Sequence, residues 1–125
     1  MLKDCEVMAT VAVRELARAR AFYEGKLGLQ PTESEPQMVA YRSGGATLMV
    51  YESQYAGTNK ATAATWNVPS DLEQLVRELK AKGVAFEHYD LPGTVRDGDI
   101  HRAEGISVAW CKDPDGNILC LAHEG

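Results

Sequence analysis

The chain has 125 residues, of which 45% are hydrophobic and 25% are charged, and its formal net charge is −5. This composition is typical of one globular domain, and it excludes the disordered and fibrous classes. Because no basic stripe is present and no apolar run approaches the roughly 20 residues of a membrane span, we expect neither a nucleic-acid partner nor a membrane partner.

The first half of the chain predicts a strand, a helix and then a hairpin. Residues 6–13 are rich in β-branched side chains, as strands are. Apolar residues recur at helical spacing over residues 17–27, and Gly28 is placed to end that helix in the left-handed conformation. A hairpin is predicted over residues 38–52, with two glycines at its turn.

The second half repeats this order. Residues 63–68 predict a strand, and Ser70-Asp71-Leu72-Glu73 is a capping box that begins a helix. The helix is predicted to end at Gly83, and the next strand begins at Val84. A final hairpin spans residues 107–123, with the sequence Asp-Pro-Asp-Gly at its turn.

The two halves predict an α+β fold of two tandem β-α-β-β-β modules, whose curved mixed sheet surrounds a cup. Module 1 covers about residues 5–53, a linker covers residues 54–61, and module 2 covers about residues 62–124. The segment Val39-Ala40-Tyr41 in the first hairpin corresponds to Val108-Ala109-Trp110 in the second hairpin. We take the turn of the second hairpin to be two residues longer. The whole chain is therefore predicted to be one domain with an internal repeat.

Side chains alternate between the two faces of a strand, so one face of each strand meets a helix and the other faces the cup. In the first strand we expect Val7 and Val11 on the helix side. Tyr41 and Trp110 are predicted either to stack on a planar ligand or to belong to the core. The other cup-facing side chains that we predict to bind a ligand are Met8, Thr10, Thr47, Met49, Tyr51, Thr65, Asn67 and Cys120. A mostly apolar wall of this kind suits a small organic ligand, unless core side chains or a second subunit fill the cup.

The segment from residue 89 to residue 105 is long for a connection inside a small domain. We expect it to lie near the mouth of the cup, where Tyr89, Arg96 and His101 are the predicted ligand contacts. Asp97, Asp99 and His101 are also candidates for metal binding or acid–base chemistry. The alternative is that this segment is a solvent-exposed loop, in which the Asp-Gly pair only forms a turn.

The three cysteines are Cys5, Cys111 and Cys120, and no Cys-x-x-Cys pair occurs. An odd number without that spacing predicts neither a disulfide framework nor a cysteine zinc site. Reduced thiols, together with an N-terminus that does not read as a secretory signal, indicate the cytoplasm. Cys120 is predicted to be a small buried hydrophobe, with a nucleophilic thiol as the alternative.

An ordered set of motifs resembles the vicinal oxygen chelate superfamily, which includes glyoxalase, bleomycin-resistance protein and extradiol dioxygenase. The first set is Val13-Arg14-Glu15-Leu16, Phe22-Tyr23 and Leu27-Gly28-Leu29, and the second is Asp113-Pro114-Asp115-Gly116-Asn117. The resemblance covers nearly the whole chain. It implies the same paired-module fold as the repeat does.

Metal-dependent members of that superfamily place His, Gln or Glu ligands on cup-facing strands. The resemblance puts three corresponding positions at Met8, Ala63 and Cys120, and the internal symmetry of the modules adds Met49. None of the four carries a carboxylate or an imidazole. Sites for Mg, Mn, Fe(II), Ni and Zn require oxygen or imidazole donors. We therefore predict no metal and no cofactor.

The resemblance then implies a metal-free small-molecule-binding protein that sequesters an aromatic or antibiotic-like ligand. A homodimer is expected because members of the superfamily commonly form dimers and because exposed sheet edges need to be shielded. The alternative is a glyoxalase-like or dioxygenase-like enzyme, a lyase, isomerase or oxygenase with a non-standard metal or acid–base site. A third interpretation is a domain that only mediates association.

Overall fold

A computed structural model describes all 125 residues of the chain. After a short 3-10 turn at Leu2–Asp4, the first half forms four strands and one helix, which a π-helical segment extends. In chain order these are β1 (Ala9–Val13), α1 (Leu16–Arg20) with the π-helical segment Ala21–Lys26, β2 (Gln30–Glu35), β3 (Met38–Ser43) and β4 (Ala46–Glu52).

The second half has the same order with two additional short strands after its helix. In chain order the elements are β5 (Thr62–Asn67), α2 (Leu72–Ala81), β6 (Phe86–Glu87), β7 (Val95–Asp97), β8 (Ile100–Ala103), β9 (Ile106–Lys112) and β10 (Ile118–Glu124). Neither helix combines the length and the apolar character that crossing a membrane requires.

The strands form two sheets with matching topology. The first sheet has the order β1-β4-β3-β2, and the second has the order β5-β10-β9-β8-β7, with β6 also pairing with β9. In both, the first strand of the module pairs in parallel with the last, Thr10 opposite Met49 and Thr65 opposite Cys120. The edge strands β1 and β5 lie next to each other. This confirms the predicted α+β fold of mixed sheets.

The helix boundaries follow from local hydrogen bonds. The carboxylate of Asp71 accepts from the backbone N–H of Gln74 at 3.0 Å, so Asp71 is the N-cap of α2 and the expected capping role of Ser70 is wrong. At α1 the backbone N–H of Leu16 donates to the Glu52 carboxylate at 2.9 Å, which satisfies a free donor of the first turn. Gly28, with φ +74°, adopts the left-handed conformation that we expected after the helix.

One hydrophobic core of 19 residues joins the helices to the inner faces of both sheets. Val11 and Val13 of β1 are fully buried in it, as the alternation predicted. The first strand, however, begins at Ala9 rather than at residue 6, and Val7 is 92% exposed. Val7 therefore contributes nothing to the core, because the chain has not yet joined the sheet at that residue.

Asp113 in the turn before β10 connects the two modules. Its Oδ1 accepts from the backbone N–H groups of Asp115 and Asn117, both at 2.9 Å. Its Oδ2 accepts from the Tyr23 hydroxyl and from the Asn117 amide, both at 2.8 Å. The same amide donates to the carbonyl of Ala12 in β1 at 2.8 Å. The Asp-Pro-Asp-Gly-Asn motif is thus a structural link to the first module.

Gly57 passes close to the same turn. It has φ +77°, and a Cβ built on it would lie 2.4 Å from the carbonyl oxygen of Asp115. Both the backbone conformation and the lack of space favour glycine at this position. The linker is therefore held against the second module by a contact that no larger residue permits.

We expect Gly57→Ala to lower the free energy of unfolding by about 2–4 kcal/mol, because left-handed strain and a steric clash add. The control is Gly93→Ala, since Gly93 has φ +80° but open space around it. That control should cost about 1–2 kcal/mol. Urea unfolding measures both, and equal losses would contradict the close contact.

Candidate functional site

Each sheet has one face that its helix does not cover, which we call the uncovered face. The uncovered face of the first sheet carries Thr10, Thr47, Met49 and Tyr51. The buried residues that alternate with them, Val11, Leu48 and Val50, point to the helix side. Tyr51 is 38% exposed and Met49 is half-buried. Met8 lies before β1 and is 46% exposed. On this sheet the uncovered face is thus an open surface.

Tyr41 is not on the uncovered face, and of its two predicted placements the structure supports the core and not the cup. It is fully buried beneath the π-helical segment, where its hydroxyl donates to the Glu24 carboxylate at 2.8 Å. The reason is the length of the two hairpins. Four residues separate the pair Arg42 and Thr47, whereas five separate the corresponding pair Lys112 and Ile118. A difference of one residue reverses the faces, so Trp110 corresponds to Ala40 and not to Tyr41.

The uncovered face of the second sheet carries the remaining predicted side chains. Thr65 and Asn67 are exposed on β5, and Cys120 is buried between Thr65 and Trp110 in the strand register. Trp110 is half-buried on the same face. These positions agree with the strand alternation of β5, β9 and β10.

Tyr89, His101 and Trp110 form one group of rings, which we call the aromatic cluster. The Trp110 ring lies edge to face with both others, at centroid distances of 4.9 Å to His101 and 5.2 Å to Tyr89. The backbone N–H of Tyr89 donates to Nε2 of His101 at 3.0 Å, and His101 is 1% exposed. The loop before β7 therefore brings Tyr89 onto the end of the second sheet.

His101 retains one unused polar atom. Because Nε2 accepts a hydrogen bond, the neutral ring carries its proton on Nδ1. Nδ1 is buried and has no hydrogen-bond partner. Such an unpaired donor costs about 1–3 kcal/mol, and a ligand oxygen that accepts from it recovers that energy.

Arg96 is the cross-strand neighbour of His101 in the β7–β8 pair. Cross-strand partners lie on the same face of a sheet, so Arg96 lies on the same face as His101, beside the aromatic cluster. Arg96 is exposed and forms no ion pair within the chain. The cluster thus combines aromatic surfaces, one buried N–H donor and one unpaired positive charge.

The candidate acid–base residues do not come together. Asp99 bonds to Lys80 and to His88, both at 2.7 Å, and Asp97 bonds to Arg102 at 3.1 Å. The hydrogen bond from Lys80, followed by that from His88, lowers the pKa of the Asp99 carboxyl. Neither carboxylate contacts His101, so the loop forms no catalytic dyad with that imidazole.

The donor set also does not suit a divalent metal. No three His, Cys, Asp or Glu side chains of the chain form a group that could hold a metal ion. The internal symmetry pairs Met49 with Cys120 and Met8 with Ala63, and these side chains offer only thioether, thiol and methyl groups. Hard and borderline divalent ions bind such groups poorly.

The two buried thiols are protected from reaction. Burial raises the pKa of Cys111 to about 12. Burial likewise raises the pKa of Cys120, although a hydrogen bond with Thr65 opposes the change. Cys5, by contrast, is exposed. A raised pKa keeps a thiol protonated and therefore unreactive, which favours a packing role for Cys120.

We expect an alkylating reagent at pH 8 to modify one thiol per native chain and three per denatured chain, because only Cys5 is accessible before unfolding. Intact-mass analysis counts the modified thiols. In the control variant Cys5→Ser, the native protein should remain unmodified. Fast labelling of Cys120 in that variant would contradict its burial.

Sequence reasoning missed several residues of the site. The indole N–H of Trp110 donates to the Thr62 hydroxyl at 3.3 Å, and His88 bonds to Asp99 beside the cluster. Thr62 directly precedes the predicted strand, which was a usable signal. No sequence signal relates His88 to Asp99, because their contact depends on the path of the loop.

A model of the family described as Glyoxalase/Bleomycin resistance protein/Dioxygenase superfamily matches residues 7–121. This match spans almost the whole chain. Comparison with the curated proteins finds no significant sequence relative.

Several solved structures share the fold. A lactoylglutathione lyase from Agrobacterium tumefaciens is 16% identical, with a TM-score of 0.72 over 96% of this chain and 93% of that one. The fosfomycin resistance protein FosX from Listeria monocytogenes is 15% identical, with a TM-score of 0.73 over 96% and 93%. A bleomycin resistance determinant encoded on the transposon Tn5 is 19% identical, with a TM-score of 0.68 over 95% and 97%. At these identities the likeness shows the fold alone.

Proposed function

Because the chain belongs to the glyoxalase/bleomycin resistance protein/dioxygenase superfamily, we propose that it binds a small organic molecule on the uncovered face of its second sheet, without a metal ion. The observation that carries this proposal is the aromatic cluster. It brings ring surfaces together with the buried, unpaired Nδ1–H of His101, and Arg96 is the cross-strand neighbour of that histidine. Few but well-placed polar groups on an apolar wall are typical of ligand sites.

The chemistry of these groups defines the ligand class. The rings of Trp110 and Tyr89 favour a planar or aromatic molecule. Arg96 favours a negatively charged group, and the Nδ1–H of His101 favours an oxygen acceptor. An aromatic carboxylate satisfies all of these contacts. Because His101 is 1% exposed, the loop that carries Tyr89 has to move aside when the ligand binds.

The superfamily contains both enzymes and resistance proteins, as the names of the solved relatives indicate. For this chain the donor set favours binding over metal-assisted catalysis, since Met49, Ala63 and Cys120 offer no hard ligand. The proposal includes a homodimer in the cytoplasm. A second subunit would cover exposed side chains such as Tyr51 on the open face of the first sheet.

Two measurements test this function. Elemental analysis of the purified protein should find no stoichiometric first-row metal. The variant Trp66→Phe leaves Trp110 as the only tryptophan, so its fluorescence reports on the aromatic cluster. Titration with a panel of aromatic carboxylates, bleomycin and fosfomycin should give saturable quenching for at least one compound, unchanged by EDTA. A tightly bound metal ion, or no binding by any compound, would overturn the proposal.

A further inference from the structure

A pocket of about 270 Å³ lies on the other side of the second sheet, where the end of the π-helical segment meets α2. We call it the junction pocket. Nine of its 12 lining residues are hydrophobic, among them Leu29, Trp66, Leu75, Leu79 and Leu119. It shares neither Trp110 nor His101 with the aromatic cluster.

The junction pocket reaches the hydrophobic core. Leu119 is fully buried at its base, and Leu79 is 6% exposed. Leu29 and Leu75 are only partly buried, and both pack against the core from the wall of the pocket. Protein interiors are close-packed, and an apolar cavity of about 150 Å³ already accepts benzene. The junction pocket is therefore large enough for a molecule of one or two rings.

The polar groups of the lining indicate an uncharged occupant. No charged side chain lines the pocket. The indole N–H of Trp66 already donates to the Ser43 hydroxyl at 2.8 Å, so it is not available to a ligand. Asn67 borders the pocket at the end of β5, but the strand alternation turns its amide to the uncovered face. A charged ligand would lose its hydration here without compensation, whereas an uncharged ligand avoids that cost.

We propose that the junction pocket is a second binding site, which takes a small uncharged aromatic molecule of about ten non-hydrogen atoms. Binding removes the partly exposed Leu29, Leu75 and Trp66 surfaces from water, and this burial supplies the affinity. Since the pocket lies at the junction of the modules, its occupant contacts both α2 and the segment that follows α1.

Indole, an uncharged two-ring molecule, is the probe for the first experiment. Methyl NMR of the full chain should show saturable shifts at Leu75, Leu79 and Leu119 as indole is added. The methyls of Val108, on the opposite face of the second sheet, should not move. Absence of any saturable shift up to the solubility of indole overturns the proposal. So do shifts of the pocket methyls that follow protein concentration without indole, because a second copy then occupies the pocket.

Filling the pocket provides the second experiment. Leu75→Phe should weaken indole binding at least about tenfold, because the larger ring takes the space of the ligand. Leu29→Phe provides a second filled variant if the first does not fold, as judged by thermal unfolding. Leu91→Phe, the same substitution on an exposed loop, is the matched control and should bind indole normally. Unchanged affinity in the folded filled variants overturns the proposal.

A third comparison separates the two sites. In Trp110→Ala the shifts of the pocket leucines should remain, whatever happens to ligands of the aromatic cluster. If indole binding is lost in Trp110→Ala but kept in Leu75→Phe, the probe occupies the uncovered face and the junction site is wrong.

Discussion

Replacing Asp113 with alanine should lower the free energy of unfolding by about 3–5 kcal/mol. The substitution removes the acceptor of four hydrogen bonds. It leaves the buried hydroxyl of Tyr23 and the backbone N–H of Asn117 without a partner, and each unsatisfied buried donor costs about 1–3 kcal/mol. The total free energy of unfolding of a small domain is only about 5–15 kcal/mol. The variant should therefore unfold near ambient temperature or at low urea concentration.

Two variants calibrate this result. Tyr23→Phe removes only one of the four bonds and should cost about 1–2 kcal/mol. Asp97→Ala removes an acidic side chain that is 68% exposed in its ion pair with Arg102, and it should change stability by less than about 1 kcal/mol. Urea unfolding of the three proteins gives the comparison. If Asp113→Ala is no less stable than Asp97→Ala, the hydrogen bonds of Asp113 between the modules do not contribute to the free energy of unfolding.

Replacing Trp110 with alanine should weaken the binding of a ligand at the aromatic cluster by about tenfold to a hundredfold. A buried aromatic anchor typically contributes about 2 kcal/mol or more when it is truncated, which corresponds to roughly thirtyfold in affinity. The loss should exceed that of Arg96→Ala for neutral ligands. For carboxylates the two losses should be similar, because the guanidinium then contributes a charge-assisted hydrogen bond. Isothermal titration calorimetry gives both affinities.

The matched control for Trp110 is Trp66→Phe, which alters the other tryptophan on the helix side of the same sheet. It should leave the affinity for the cluster ligand unchanged. Equal losses in the two tryptophan variants would indicate a general loss of structure. A normal affinity in Trp110→Ala, with the fold intact, would place the ligand elsewhere.

The fold followed from patterns that are local in the sequence. Hydrophobic spacing and glycine signals determined both helices, and the repeat of the halves determined the module order. Strand alternation placed Thr10, Met49, Thr65 and Cys120 on the correct faces, because these strands are regular through their middle residues. The start of β1 was less predictable, since Val7 is β-branched but has no neighbouring strand to pair with.

The site was only partly predictable. The aromatic cluster depends on a loop, and the contact of Tyr89 with His101 brings together residues 12 positions apart through irregular backbone. Residue type indicated Tyr89, Arg96 and His101 as candidates. Their relative positions could not be predicted and are seen only in the structure. The face of Tyr41 depends on the number of residues in the hairpin turn. The sequence predicted that the second turn is two residues longer, whereas the structure shows a difference of one residue.

The extra residue in the second hairpin has a consequence for stoichiometry. The two modules share one order of elements, but only the second has an indole on its uncovered face, and the first has Ala40 at the corresponding position. The one-residue difference in hairpin length therefore places different residues at equivalent positions of the two modules. Each subunit should accordingly saturate at one equivalent of a ligand that stacks on Trp110, and deleting one residue from the turn should abolish that capacity by rotating the indole under α2.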